Sequence, residues 1–79
     1  MIDPQQLEEE QRNMRLLKTI VDLTSAVLQQ GDLTIPEAID LIRATKKRVL
    51  QLFPGKEEAY DLIYRPRFEH IIQERISQN

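Results

Sequence analysis

The stretch Gly31-Asp32-Leu33-Thr34-Ile35-Pro36-Glu37 constrains the fold most, because it ends one helix and begins another. Glycine readily takes the left-handed conformation that closes a helix. Thr34 and Glu37 have the spacing of a capping box, in which each side chain accepts a hydrogen bond from the other's backbone N–H. Pro36 falls in the first helical turn, where its missing N–H has no helical partner to lose. The stretch therefore predicts the corner of a helical hairpin.

The helices on either side of this corner have recognisable ends. Asp3-Pro4 predicts the start of the first helix, with Asp3 as the cap and Gln6 placed to complete a capping box. This helix should run to about Gln30, a length of roughly 40 Å at 1.5 Å per residue. The second helix should run from Ile35 to about Leu52, where Pro54-Gly55 stops it.

A third helical segment begins near Lys56 and is interrupted at Arg65-Pro66. On one continuous helix the apolar residues after this point are rotated by something over about 100° from those before it, so a single straight helix could not bury both sets against one surface. We therefore predict a break there, with Pro66 opening a short fourth helix to about Ser77. The predicted fold is all-α: a single domain, residues 1–79, in which a long helical hairpin is closed by the broken segment as a three- to four-helix bundle. We expect the first turns of helix one to fray or to lie on something outside the core, and residues 78–79 to be loose.

The first helix carries two apolar stripes, which imply two neighbours. One stripe has heptad-like spacing: Leu7, Met14, Leu17, Val21, Thr24 and Leu28. The other comprises Leu16, Ile20, Leu23 and Val27. The second helix should cover one stripe, and either the third segment or another subunit should cover the other.

Composition limits the classes of function. The chain has 79 residues, no cysteine, a single histidine and a net charge of −2. A chain this short has a small core, of a size that association with a second subunit often supplements. The slight negative charge argues against a general attraction to nucleic acid. No apolar run approaches the ~20 residues of a membrane span, and the first residues lack the pattern of a signal peptide, so we expect a cytoplasmic protein without a membrane segment.

No residues form the pattern of an active site. Ser25 has no evident supporting base, and His70 with Glu74 one turn later is typical of a solvated surface contact. The acidic run Glu8-Glu9-Glu10 points in three directions around a helix and does not converge on one ion. We therefore predict no catalytic residue, no metal site, no cofactor and no small-molecule substrate: the protein is not expected to be an enzyme.

A basic surface provides one functional alternative. Arginine side chains and helix N-termini both suit phosphates and carboxylates, so an anion or a nucleic acid could bind there. The competing interpretation is that Arg65 pairs with Asp61 or Glu69, each four residues away. The candidate anion-binding residues are Arg43, Lys47, Arg65 and Arg67.

Self-association is the main functional expectation. The wide apolar arc of the first helix and the small core both favour a protein–protein interaction module, either a homodimer or a partner of another helical protein. Tyrosines are enriched at interfaces, although they could equally be half-buried core residues. The predicted interface residues are Met14, Leu17, Val21, Tyr60 and Tyr64.

The segment LFPGKEEAYDLIYRPRF, residues 52–68, resembles the tail of small, uncharacterised prokaryotic helical proteins. The resemblance covers about a quarter of the chain. It implies a bacterial cytoplasmic protein of unknown function, and it transfers no functional residue.

Overall fold

A computed structural model describes residues 3–77 as four helices without a strand among them. The helices are α1 (Pro4–Gln30), α2 (Ile35–Leu52), α3 (Glu57–Ile63) and α4 (Arg65–Ser77). The predicted all-α class and the break at Arg65-Pro66 are confirmed. The expectation that residues 78–79 are loose falls outside the described residues.

The corner between α1 and α2 forms the predicted capping box. The Thr34 N–H donates to Glu37 Oε1 at 3.0 Å, and the Glu37 N–H donates to Thr34 Oγ1 at 3.2 Å. Gly31 closes α1 at a φ of 76°, a conformation that L-residues rarely adopt. Arg75, in the last turn of α4, donates to the carbonyl oxygens of Gly31 and Leu33. The end of the chain is therefore fastened to the hairpin corner.

The start of α1 is capped more simply than the sequence predicts. Asp3 accepts one hydrogen bond, from the Gln5 N–H at 3.1 Å. The observed cap is this single bond rather than a capping box with Gln6. A carboxylate oxygen bonded to the second helical N–H satisfies one of the free donors of the first turn, which is sufficient to fix the helix start.

The core lies where α1, α2 and α4 meet, with Tyr60 of α3 closing one side. In α1 the buried residues are Leu17, Val21, Thr24 and Leu28, which follow the heptad-like stripe. The helices α2 and α4 supply the remaining buried side chains: Ala38, Thr45, Val49, Phe68 and Ile71. One of the two predicted stripes therefore faces the chain's own core.

A buried pair of threonines links α1 to α2. Thr24 Oγ1 lies 2.9 Å from Thr45 Oγ1, and both side chains are buried. The Thr45 hydroxyl donates to the Leu41 carbonyl oxygen at 2.9 Å. Since a hydroxyl has one hydrogen, Thr24 must then donate to Thr45. This directional contact, the one buried polar link between the two long helices in the described residues, favours a single register of the hairpin.

The break between α3 and α4 falls at Tyr64. The Tyr64 N–H still donates to the Tyr60 carbonyl at 2.9 Å, and the Phe68 N–H donates to the Tyr64 carbonyl at 3.2 Å. Pro66 has no N–H to give, so the helical ladder is interrupted between these two bonds. The change of direction allows Tyr60 on one side and Phe68 on the other to reach the same core.

The first turns of α1 extend past the hairpin. Asn13 Nδ2 donates to the Leu52 carbonyl oxygen at 3.4 Å, which places the end of α2 beside Asn13. Every residue from 4 to 12 is helical and exposed. The molecule is correspondingly elongated, at 53 × 21 × 15 Å. The polar first turns therefore form a projecting helical arm.

The threonine pair predicts non-additive effects of substitution. Thr45→Val removes the acceptor for the buried Thr24 O–H and should lower the free energy of unfolding by about 1–2 kcal/mol. Thr24→Val should cost less, because it leaves only an unused acceptor on Thr45. The double valine variant should be more stable than the sum of the single effects implies, by about 1 kcal/mol. Urea unfolding at fixed protein concentration checks this, with exposed Thr19→Val as the matched control; strictly additive effects would contradict the coupling.

The capping box predicts a pH dependence. The Thr34 backbone N–H, and then its side chain, lower the pKa of Glu37 below its ordinary value of 4.5. A carboxyl group whose pKa is lowered by folding stabilises the fold above its ordinary pKa, and that contribution is lost as the pH falls through the lowered value. Glu37→Gln should therefore destabilise the protein most at neutral pH and progressively less below pH 4.5. Urea midpoints measured against pH test this, with Glu8→Gln as the charge control; an equal loss at all pH values would refute it.

Candidate interaction surface

The structure buries three of the five predicted interface residues in the chain's own core. Leu17, Val21 and Tyr60 are each less than a tenth exposed, so they offer a partner very little surface on the folded chain. Their assignment to an interface is corrected. The physical reason is that α2 and α4 pack on the heptad-like stripe of α1, whereas the prediction had left that stripe free for another subunit.

The other two predicted interface residues lie together. Met14 is 54% exposed, and Tyr64 is half-buried. Both line a shallow groove of about 390 Å³ between α1 and α4, together with Lys18 and Arg67. The Tyr64 ring is 5.7 Å from the Tyr60 ring, within the range of aromatic contacts. Tyr64 therefore both supports the core and borders the surface.

The second stripe of α1 is the apolar surface that remains. Leu16, Leu23 and Val27 are 39%, 61% and 38% exposed, and Ile20 between them is half-buried. These four residues recur at spacings of four, three and four, so they share one side of the helix. We call this stripe the outer face of α1. The sequence showed both stripes, but nothing in it indicated which one the chain would cover.

A larger cleft lies between α2 and the α3–α4 segment. Its volume is about 520 Å³, within the range of small-molecule sites. Ile39, Ile42 and Ile72 contribute apolar walls, and Tyr60 also lines the cleft. Ile39 is 39% exposed in this cleft.

Lys46 ties α3 to α2 at one edge of this cleft. Its Nζ lies 3.0 Å from Asp61 Oδ1 and 3.2 Å from Glu57 Oε1. Hydrogen bonds to Asp61 and then to Glu57 raise the pKa of Lys46, so the ammonium is charged at neutral pH. The same Nζ lies 6.0 Å from the centre of the Tyr60 ring, at the outer limit of a cation–π contact. Burial raises the pKa of Tyr60, and the nearby ammonium partly offsets this.

The basic side chains do not converge on one site. Arg43 and Arg65 line the cleft, whereas Arg67 lines the groove between α1 and α4, and exposed Lys47 lines neither. Arg65 Nε lies 2.9 Å from Glu69 Oε1, which confirms the predicted pairing, and hydrogen bonding to Glu69 raises the pKa of Arg65. Because carboxylates already face Lys46 and Arg65, the cleft offers little net attraction to a phosphate or a nucleic acid.

The structure also shows where the candidate reactive side chains, His70 and Ser25, lie. His70 Nε2 lies 3.0 Å from Glu74 Oε1, and both side chains are mostly exposed, as expected for a surface contact. Ser25 Oγ is buried and has no hydrogen-bond partner in the described residues. Within residues 3–77, no three His, Cys, Asp or Glu side chains are grouped so that they could hold a metal ion. None of the helices described is both long and apolar enough to cross a membrane.

Comparison with known proteins does not change this interpretation. No family model matches the chain, and neither the curated proteins nor the solved structures contain a significant match to it. The resemblance of residues 52–68 to small prokaryotic helical proteins therefore stays a prediction. The outer face of α1 remains as a row of four apolar residues along one side of the longest helix.

Proposed function

We propose that this chain is a protein–protein interaction module that associates with a second copy of itself through the outer face of α1. The observation that carries the proposal is the row of exposed apolar side chains along one side of the longest helix, with Leu23 at 61% exposure in the middle. Contiguous apolar patches of this kind are typical of association surfaces. Because one stripe of α1 forms this row, the row is continuous over about 16 Å of the helix.

The energetic balance favours an association that depends on concentration. Burying a fully exposed leucine or valine contributes about 1.5–3 kcal/mol, so each partly exposed side chain of the outer face contributes roughly 1 kcal/mol. Two copies together would then gain several kcal/mol, to set against an association cost of at least about 4 kcal/mol. Contacts made by the polar residues beside the stripe must add to the gain from the apolar side chains if the dimer is to form. We therefore expect a reversible dimer rather than a permanent one.

A second copy would also stabilise a small core. Ten side chains in the described residues are buried, and two of these are threonines. A core of this size contributes only about 3–5 kcal/mol of net stability. A dimer that forms only from folded chains adds to this net stability, because association shifts the folding equilibrium towards the folded state by mass action. The proposal assigns no catalytic activity, and it places the module in a bacterial cytoplasm, a setting consistent with a chain that has no cysteine.

A charge on the outer face should prevent the association. Leu23→Glu would bury a carboxylate at the centre of the interface, which is costly without a partner. In size exclusion with light scattering, up to about 1 mM protein, the wild-type mass should rise from 9.3 kDa towards twice that value. Leu23→Glu should stay at the single-chain mass with unchanged helical circular dichroism.

The matched control is Leu62→Glu, on α3, which replaces a leucine of similar exposure, 73%, outside the outer face. It should associate as the wild type does. A wild-type mass that stays at 9.3 kDa at every concentration would refute the proposal. Association lost in Leu62→Glu and retained in Leu23→Glu would move the interface to α3.

A further inference from the structure

We infer that the two copies pair their α1 helices antiparallel, about a twofold axis that passes between residues 21 and 22. In this arrangement Leu16 faces the partner's Val27, and Ile20 faces the partner's Leu23. The inference rests on the proposed self-association and adds to it the geometry of the interface.

The spacing of the outer face is the first support. Leu16, Ile20, Leu23 and Val27 are separated by four, three and four residues, a pattern that reads the same in both directions. A twofold interface requires a surface that is complementary to itself. Reversing one helix about the midpoint places every apolar residue of the outer face opposite another apolar residue. The whole stripe is then covered, with no polar residue opposed to it.

The acidic arm of α1 decides between parallel and antiparallel pairing. Glu8, Glu9 and Glu10 lie on the projecting part of the helix, where every residue is exposed. A parallel pair would place the two acidic runs side by side, where like charges repel. The antiparallel pair about this axis separates the two Glu9 residues by about 37 Å along the helix axis. That separation exceeds the Debye length of about 8 Å at physiological salt several times over, so the repulsion is screened.

The same alignment brings opposite charges together at each end of the interface. Arg12 precedes Leu16 by four residues and therefore lies on the same side of α1. Antiparallel pairing places it level with the partner's Gly31 and the partner's Asp32. Arg12 and Asp32 are both exposed on the single chain. Arg12 would thus meet the Asp32 carboxylate at the C-terminal end of the partner's α1, where the Gly31 carbonyl oxygen already accepts from Arg75. Because of the twofold axis, the same contact occurs at both ends of the interface.

Single-cysteine variants test the alignment, because the chain has no cysteine of its own. A disulfide needs Cα atoms roughly 4.4–6.8 Å apart. In the antiparallel pair, Leu16→Cys alone and Val27→Cys alone each place their two thiols about 16 Å apart along the axis. A mixture of the two variants places unlike thiols opposite each other. In oxidising buffer we expect the mixed disulfide to form at least about tenfold faster than either homodimeric disulfide.

The outcomes separate the alignment from the association itself. Rapid cross-linking of Leu16→Cys with itself would indicate parallel pairing; it would overturn this inference and leave the proposed self-association standing. A wild-type dimer in light scattering without the mixed disulfide would also overturn the alignment alone. A monomeric wild type with no cross-link in any mixture would refute both proposals.

A charge reversal provides an independent test without cysteine. Arg12→Glu would place a glutamate beside the partner's Asp32 and should weaken dimerisation about three- to tenfold at low salt. Adding Asp32→Arg to the same chain should restore the wild-type association, because each reversed pair is again of opposite charge. Glu10→Gln, on the same arm but roughly 160° around α1 from Arg12, is the control. If Arg12→Glu weakens dimerisation and the added Asp32→Arg does not restore it, the contact between Arg12 and the partner's Asp32 is overturned.

Discussion

The apolar arc of α1 is wider than the remaining helices can cover, and the rest of the structure follows from this mismatch. α2 and α4 pack on Leu17, Val21 and Leu28, so the heptad-like stripe becomes the core. α3 has only seven residues and contributes one buried side chain, Tyr60. No element in the described residues remains for the outer face, where Leu23 is largely exposed. An apolar row on a long, rigid helix is a surface that association with another helix can bury.

The hairpin corner and a few polar contacts determine how the other helices are arranged on α1. The capping box fixes where α2 begins, and the hydrogen bond between Thr24 and Thr45 fixes how far α2 slides along α1. Arg75 then ties the end of α4 to the corner, while Lys46 ties α3 to α2. These polar contacts contribute modestly to stability, but each is directional. Together they favour one arrangement over other packings of similar apolar area.

The helix boundaries could be predicted because their causes are local. Asp3-Pro4, Thr34 to Glu37 and Arg65-Pro66 act within one helical turn, and the observed helices begin or break at these positions. The pairing of Arg65 with Glu69 is local for the same reason. The contacts that sequence reasoning missed join distant parts of the chain. Lys46 with Asp61, Thr24 with Thr45 and Arg75 with Gly31 are 15, 21 and 44 residues apart, and no spacing rule indicates such pairs.

The sequence by itself determined that the chain is all-α, where each helix begins and ends, and that α1 has two apolar stripes. These properties depend on caps, prolines and periodicity, which act over a few residues. Only the tertiary structure decided which stripe is buried. Both stripes are apolar, and the choice depends on how α2 and α4 pack together against α1. For that reason Leu17, Val21 and Tyr60 became core residues, and Leu16, Leu23 and Val27 became the surface.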